Sequence, residues 1–272
     1  MIDTINEMLS FAFINRALLV GTLVSLCAAL LGVSLVLKRY ANIGDGLAHV
    51  GFGITTIAVA FNFAPLPIAI PGVIIVAIIL LKVGNNKKLK SDSAIAIISS
   101  SALAIGVAVT SITTGLNTDI CNFMFGSILA MSNSDVILSV IVSVVVLILF
   151  IVYYRKLFAV TFDEDFSKAI GLKANRYTSL IAILTAVIIV VGMRMMGTLL
   201  ISSIIIFPAL SAMRICKSFK SVAISSGIIS VVCFLVGMFL SYSYNISTGA
   251  MIVIVNLVVF ILLTIVGKIV KE

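Results

Sequence analysis

The sequence predicts an all-α polytopic membrane protein, a bundle of eight to nine transmembrane helices with one short cytoplasmic helix. Hydrophobic residues make up 62% of the 272 residues and charged residues only 10%, whereas about a quarter of a soluble domain is charged. Apolar runs of about 18 residues or more are typical of membrane spans. Basic residues cluster at every second break between these runs, which is the pattern of a chain that crosses a bilayer repeatedly.

Nine apolar segments follow one another along the chain. A segment in lipid must satisfy its own backbone hydrogen bonds, and the continuous run 136–152 favours helices over the alternating strands of a barrel. Turn-forming or charged residues separate the segments, and the two short segments around Arg194 leave the count at eight or nine. The predicted spans are 17–37, 43–62, 66–83, 93–113, 134–153, 178–193, 197–213, 221–242 and 247–267.

The distribution of positive charge predicts the orientation of the chain. Basic residues collect in cytoplasmic loops. If Lys38 and Arg39 are cytoplasmic, nine spans leave only Arg16 and Arg194, among 18 basic residues, on the outer side. The predicted topology is therefore a multi-pass protein of the plasma or inner membrane, with its N-terminus outside and its C-terminus in the cytoplasm. The net charge of +8 is explained by this orientation, and we expect no nucleic acid partner.

The chain is predicted to be a single transmembrane domain covering residues 1–272. Its longest cytoplasmic connection, about 154–177, has room for one short helix only. The longest external connection, about 114–133, holds another apolar stretch that fits a re-entrant or interfacial turn.

Several kinds of catalytic chemistry are excluded by missing residue types. The sequence has no GxxxxGK[ST] phosphate-binding loop and no HExxH pair, since His49 is the only histidine. The four cysteines are scattered without a CxxC pair, which does not favour a disulfide framework or a zinc–cysteine site. We therefore expect no enzymatic activity in this chain and no permanently bound cofactor.

The stretch GDGLAHV, residues 44–50, places a carboxylate and an imidazole at the root of an apolar span. Asp45 and His49 are spaced i, i+4, which puts both on one helix face, and Thr56 continues that face. Ionisable residues within spans are costly and usually mark function. Carboxylate oxygen and imidazole nitrogen are ligands for Mn²⁺, Fe²⁺ or Zn²⁺. Two ligands are too few for a selective site, and a two-fold symmetric dimer would double the set.

A structural explanation of the same pair is also open. Asp45 and His49 would then form only a hydrogen bond near the cytoplasmic interface, or Asp45 would cap the start of its helix.

The segment TFDEDFSKAIGLKANRY, residues 161–177, predicts a short amphipathic cytoplasmic helix. Phe162, Phe166, Ala169 and Ile170 share one face, and Gly171 is suited to end the helix. The remaining surface begins with three acids, Asp163, Glu164 and Asp165. A helix lying on the membrane surface favours basic residues instead, so we expect this helix to dock into a protein groove.

A late span supplies lesser candidates for a transport pathway. Pro208 removes a helix hydrogen bond and is able to kink or unwind its span. Ser202 and Ser203 lie one to two turns before it. Arg194 is interpreted as a side chain that reaches to the membrane interface rather than as a gate.

Four stretches together resemble the integral-membrane permease of metal-type ABC importers, the family that takes up zinc, manganese or iron. Residues 15–53, ending in GDGLAHVGFG, resemble the family's first span, basic turn and GDxLAH motif. Residues 162–177 resemble its cytoplasmic coupling segment, 196–212 its late span with a Pro-Ala break, and 247–256 the start of its last span. The resemblance covers nearly the whole chain, and GDxLAH is its most specific part.

The resemblance implies a function, partners and site residues. It implies a homodimer of permeases, two copies of a cytoplasmic ATP-binding subunit that hydrolyses ATP, and an extracellular solute-binding protein that delivers the ion. The acid and histidine of the motif are implicated in metal passage in the family, which carries over to Asp45 and His49. The family's coupling role carries over to the segment holding Asp163, Glu164, Phe166, Ala169 and Gly171.

Three other functions remain as alternatives at this point. A proton-coupled secondary carrier would use Asp45 and His49 as a proton relay, without an ATPase. A permease for a metal chelate would not need the Asp–His pair. A membrane protein that only anchors partners would tolerate loss of both side chains. The sequence does not choose among zinc, manganese and iron, because selectivity depends on geometry and metal supply.

Overall fold

A computed structural model of the chain describes residues 10–84, 91–113, 126 and 133–269. Every regular element within this described part is a helix, as the composition predicted. In chain order the helices are α1 (Ala12–Leu37), α2 (Ala41–Ala60), α3 (Pro65–Gly84), α4 (Ser91–Ile112), α5 (Asn133–Phe162), α6 (Glu164–Ala169), α7 (Ala174–Met196), α8 (Thr198–Ile215), α9 (Phe219–Tyr244) and α10 (Thr248–Ile269).

Nine of the helices in the described ranges are long and apolar enough to cross a membrane. A helix rises about 1.5 Å per residue, so 20 residues span the roughly 30 Å of hydrocarbon. The exception is α6, with six residues. The predicted bundle with one short extra helix is therefore confirmed.

The connections between spans follow the turn chemistry of the sequence. Helix α3 begins at Pro65, where a missing N–H costs no hydrogen bond. A single residue, Gly197, joins α7 to α8 with φ of 83°, a backbone conformation that favours glycine. Two separate spans therefore flank Gly197, although the segments near Arg194 are short.

Two helix boundaries differ from the sequence prediction. Helix α1 begins at Ala12 rather than near residue 17, and α5 continues to Phe162 rather than ending near residue 153. Apolar runs report the thickness of the lipid, whereas a helix continues as long as its residues tolerate the helical backbone. The predicted amphipathic helix is correspondingly shorter, because Phe162 belongs to α5 and Ile170 is the C-terminal cap of α6.

Helices α1, α2 and α7 have the largest buried shares and form the centre of the bundle, whereas α4, α5 and α10 have the smallest. The exposed side chains of the outer helices are largely Ile, Val and Leu, as a lipid-facing surface requires. The central helix α2 packs against α3, α4, α7 and α8. The site residues on α2 are therefore held by neighbours on several sides.

The predicted re-entrant stretch 114–133 lies outside the described residues except for Gly126 and Asn133.

Candidate functional site

Helix α2 carries Asp45 and His49 at its cytoplasmic end in the predicted topology. The N-terminal cap of α2 is Tyr40, whose side chain makes no capping hydrogen bond. Asp45 is the fifth residue of α2, beyond the amide groups that a cap reaches. Its carboxylate therefore does not cap the helix, which removes one structural explanation of the pair.

The two side chains lie close together but leave ligand atoms unused. His49 Nε2 is 3.6 Å from Asp45 Oδ2, which is longer than a hydrogen bond. The Asp45 side chain is 53% exposed and that of His49 is 22% exposed. Nδ1 of His49 is buried and has no hydrogen-bond partner within the described part of the chain. A buried polar atom without a partner is unusual in a native protein. The nitrogen that faces Asp45, and is placed to share a ligand with it, is Nε2.

Glycines allow the neighbouring helices to approach α2 closely. A Cβ atom on Gly53 would lie 2.5 Å from the Ala102 carbonyl oxygen of α4, and one on Gly46 would lie 2.7 Å from Ile95 Cγ2. Small residues at helix interfaces permit such close approach in membranes. Helix α4 therefore fixes the position of α2, and with it the position of the Asp–His pair.

Thr56 shares the helix face of the pair by spacing but has a different environment. It is buried, and its hydroxyl donates a hydrogen bond of 2.8 Å to the Phe52 carbonyl. The exposed part of this face is therefore at its Asp45 end. The role of Thr56 in a pathway stays a prediction.

The serine candidates line a separate cavity. Ser202 and Ser203 face a space of about 390 Å³ between α8 and α10, whose other lining includes Gly249 and Val253. Both hydroxyls also donate to the Leu199 carbonyl, at 3.1 and 2.9 Å. Neither Asp45 nor His49 lines this cavity. The structure therefore does not bring the serines together with the Asp–His pair.

Pro208 lies buried within α8, and the helix continues through it to Ile215. Neighbouring helices in a membrane protein tolerate such a proline when other contacts replace the lost hydrogen bond. The span is therefore not unwound at Pro208, and a pathway role for this residue stays a prediction.

The cytoplasmic segment has a defined start and end. The Asp163 carboxylate accepts a hydrogen bond of 2.8 Å from the Phe166 amide, which makes Asp163 the N-terminal cap of α6. Gly171 follows the helix with φ of 84°, as its predicted role required. Phe166, Ala169 and Ile170 are exposed. An apolar surface of α6 is therefore uncovered, as expected of a docking helix.

Glu164 is turned toward the bundle and contacts Lys38, a residue whose charge was used above only to predict the orientation of the chain. Lys38, at the end of α1, places Nζ 2.9 Å from Glu164 Oε2. The other Glu164 oxygen is 3.0 Å from Lys168 Nζ. Partial burial raises the pKa of Glu164, but hydrogen bonds from Lys38 and Lys168 outweigh this, so its pKa lies below the ordinary value. In the sequence, the only indication of this contact was the position of Lys38 at the end of an apolar span.

Arg194 lies at the end of its helix and has an ion-pair partner that the sequence did not indicate. Its guanidinium is paired with Asp135, and the side chains are only 16% and 15% exposed. Asp135 lies in the first turn of α5 and Arg194 in the last turn of α7. The sequence did not indicate that these two helix ends meet.

The described part of one chain offers no larger cluster of ligand side chains. Across residues 10–84, 91–113, 126 and 133–269, no group of three or more His, Cys, Asp or Glu side chains is placed to hold a metal ion. A carboxylate and an imidazole from one chain offer an ion at most a partial coordination shell.

Within the described residues, nine helices able to cross a membrane, an ionisable pair on a central helix and a short helix with an uncovered apolar surface are typical of an integral-membrane permease. The chain belongs to the ABC 3 transport family, whose model matches residues 10–267. It is accordingly a membrane-spanning permease subunit of an ATP-binding cassette transporter.

Individual relatives match over almost their whole length. The chain is 33% identical to the "Probable iron transport system membrane protein" of Haemophilus influenzae, covering 96% of each chain. It is 29% identical to the "Manganese import system permease protein ScaB" of Streptococcus gordonii, covering 92% of this chain and 90% of the relative. PsaBC from Streptococcus pneumoniae, solved in complex with a Fab, superposes with a TM-score of 0.87 at 29% identity, covering 97% and 95% of the two chains.

Membership of an ABC transport family does not favour a proton-coupled secondary carrier, one of the alternatives left open by the sequence.

Proposed function

We propose that this permease moves a divalent transition metal ion, manganese, zinc or iron, into the cytoplasm, and that Asp45 and His49 bind the ion in transit. The observation that carries the proposal is the geometry of the pair. The two side chains converge to 3.6 Å without forming a hydrogen bond, and the Asp45 side chain is 53% exposed. An ion placed between Asp45 Oδ2 and His49 Nε2 would bind both side chains.

The chemistry of the pair selects a class of ion. One carboxylate oxygen and one imidazole nitrogen suit first-row divalent metals, whereas Ca²⁺ and Mg²⁺ prefer oxygen ligands alone. The named relatives include one manganese and one iron protein, which supports this class. The ion is cargo, so the site must release it as well as bind it.

A second copy of the chain would complete the coordination shell. A two-fold axis beside α2 would bring two carboxylates and two imidazoles together, giving four ligand side chains. The large exposed fraction of Asp45 leaves its carboxylate open to such a partner. The working unit is therefore a homodimer that holds one ion between the two copies.

The permease takes its energy from a separate cytoplasmic ATP-binding subunit. The sequence has no phosphate-binding loop of its own. The exposed side chains of Phe166, Ala169 and Ile170, together with the acids Asp163 and Asp165, form the surface of α6 that the ATP-binding subunit would contact. An extracellular solute-binding protein would deliver the ion from the other side.

The location and orientation of the chain follow from this proposal. The whole chain acts as one permease domain in the plasma or inner membrane, with the N-terminus outside and the C-terminus in the cytoplasm. The enrichment of basic residues in the predicted cytoplasmic connections supports this orientation. Thr56, Ser202, Ser203 and Pro208 are retained as candidate pathway residues.

Metal binding and metal uptake test the proposal together. The permease is purified with its ATP-binding subunit and titrated with manganese, zinc and iron(II), and uptake is measured in proteoliposomes supplied with the solute-binding protein. Asp45→Asn and His49→Ala should lose both binding and ATP-dependent uptake. Asn42→Ala, an exposed position on the same helix, is the matched control and should retain both.

The stoichiometry of the bound ion tests the dimer. One tightly held ion for every two permease chains is expected by elemental analysis of the purified complex. Undiminished uptake in both Asp45→Asn and His49→Ala would contradict the proposed site, and one ion per chain would contradict the shared site.

A further inference from the structure

Three parts of the permease meet at the ammonium group of Lys38. Lys38 is the C-terminal cap of α1, and its side chain is only 7% exposed. Its Nζ lies 2.9 Å from Glu164 Oε2 of α6 and 2.9 Å from Oγ1 of Thr178, the fifth residue of α7. Two charged groups, from residues 126 positions apart in sequence, are thus joined inside the protein rather than in solvent.

A buried ammonium group needs partners that replace water. The Glu164 carboxylate and the Thr178 hydroxyl supply two of them, and the carbonyl end of α1 adds a favourable field for a cation. Among the ion pairs of the described residues, the contact between Lys38 and Glu164 is the one that joins α6 to a membrane-spanning helix. The contacts of Lys168 with Glu164 and Asp165 stay within α6.

The short turn from α1 to α2 connects the contact between Lys38 and Glu164 to the helix that carries the Asp–His pair. Only Lys38, Arg39 and Tyr40 separate the two helices. The Tyr40 amide donates to the Leu35 carbonyl at 2.8 Å, and the Ile43 amide donates to the Tyr40 carbonyl at 3.0 Å. The turn is therefore bonded to the end of α1 and to the start of α2, so a displacement of Lys38 is passed to the first turns of α2.

We propose that Lys38 and Glu164 are positioning residues for transport, forming the tether through which movement of α6 shifts α2 and the Asp45–His49 pair. The inference rests on the proposed function, since it assumes that an ATP-binding subunit moves α6 and that the pair holds the ion. Neither residue touches the ion. Their role is to make the start of α2 move together with α6, so that ATP hydrolysis changes the geometry of the ion site.

The two lysines bound to Glu164 provide a matched comparison. Lys38→Met removes the contact between α6 and α1 and keeps a long apolar side chain. Lys168→Met also removes a lysine bound to the Glu164 carboxylate, but it affects only contacts within α6, at a side chain that is 48% exposed. Lys38→Arg keeps the charge and the donor groups. If transport needs only a lysine to neutralise Glu164, both methionine variants should lose it. If transport needs the contact between α6 and α1, only Lys38→Met should lose it.

The experiment measures three quantities on the complete transporter in proteoliposomes: manganese binding without ATP, ATP hydrolysis, and manganese moved per ATP hydrolysed. Lys38→Met should bind manganese as the wild type does and should still hydrolyse ATP, while the manganese moved per ATP falls about tenfold or more. Lys168→Met and Lys38→Arg should keep the wild-type ratio. If Lys38→Met does not assemble, Glu164→Gln gives the same test, because it removes the charge and keeps the hydrogen-bonding shape.

Each failure has a distinct meaning. An unchanged ratio of manganese to ATP in Lys38→Met, or an equal fall in Lys168→Met, would overturn the tether and leave the ion site intact. Wild-type protein that binds no manganese, zinc or iron(II) would overturn the proposed function, and the tether would fall with it.

Discussion

Asp135 and Arg194 join the first turn of α5 to the last turn of α7, with Oδ2 and Nη2 3.1 Å apart. Each charge also has the favourable sign for its helix end, since an acid suits an N-terminus and a base suits a C-terminus. Both side chains are mostly buried. The pair therefore fixes two membrane-spanning helices to each other at the end opposite to Asp45 and His49.

Removing the guanidinium should destabilise the permease. Arg194→Met removes a mostly buried ion pair that joins α5 to α7, and we expect the free energy of unfolding to fall by about 1–3 kcal/mol. This corresponds to a fall in the thermal unfolding midpoint of roughly 2–4 °C per kcal/mol, measured on the purified protein in detergent. Arg155→Met changes an exposed arginine of α5 in the same way and should leave the midpoint unchanged. Equal midpoints for the two variants would contradict a stabilising role for the pair.

The contact between Lys38 and Glu164 should make stability depend on acid pH. The pKa of Glu164 is lower in the folded protein than its ordinary value of 4.5, so its contribution is fully present above that value. It is lost as pH falls through the lowered pKa. The charged or titratable groups that interact with it are Lys38, Lys168 and Tyr40.

The measurement is the thermal unfolding midpoint of wild type and Glu164→Gln from about pH 7 to about pH 3. The difference between the two proteins should be largest at neutral pH and should shrink as Glu164 is protonated. A difference that stays constant over the whole range would show that the charge of Glu164 does not contribute.

Close packing of α2 against α4 should make Gly53 intolerant of a side chain. An alanine Cβ at this position would lie 2.5 Å from a backbone oxygen, which has no rotamer to move away. We expect Gly53→Ala to lower the free energy of unfolding by about 1–3 kcal/mol. Gly44→Ala is the control, because its Cβ would lie 3.7 Å from Ile205 Cδ1, an ordinary contact. Thermal unfolding in detergent compares them, and similar midpoints would mean that α4 does not approach α2 this closely.

A substitution of Gly171 should act through the backbone conformation rather than through contacts with surrounding atoms. Its φ is 84°, and a Cβ there would meet nothing within 4 Å, so any cost comes from the left-handed conformation alone. Gly171→Ala should cost about 1–2 kcal/mol locally and raise amide hydrogen exchange in residues 163–172. Gly171→Asn should be milder, since asparagine adopts this conformation more readily. Unchanged exchange in the alanine variant would contradict the role of Gly171 in ending α6.

The cytoplasmic segment illustrates how far local sequence reasoning extends. Gly171 was recognisable as the residue that ends the helix because left-handed positions depend on the residue and its nearest neighbours, whereas the N-terminal cap formed by Asp163 was not predicted. The extension of α5 to Phe162 was not predictable from apolar length. A polar pair such as Arg155 and Lys156 ends a hydrophobic run without ending a helix.

The face of α2 that carries Asp45 shows the same difference between what the local sequence predicts and what packing determines. Spacing alone placed Asp45, His49 and Thr56 on one side of a helix. Packing then made their environments different, since Thr56 is 1% exposed and the Asp45 side chain 53%. Periodicity reports the direction of a side chain from its own helix and contains no information about what lies opposite.

By itself, the sequence determined the class of protein, a bundle of eight to nine spans, the spacing of the Asp–His pair and the glycine that ends α6. These depend on composition and on residues a few positions apart, which the helical backbone relates by fixed geometry. Only the tertiary structure decided that Lys38 meets Glu164 and that Arg194 meets Asp135. The physical reason is that partners on different helices are selected by how nine helices pack together, and that packing depends on all their surfaces at once.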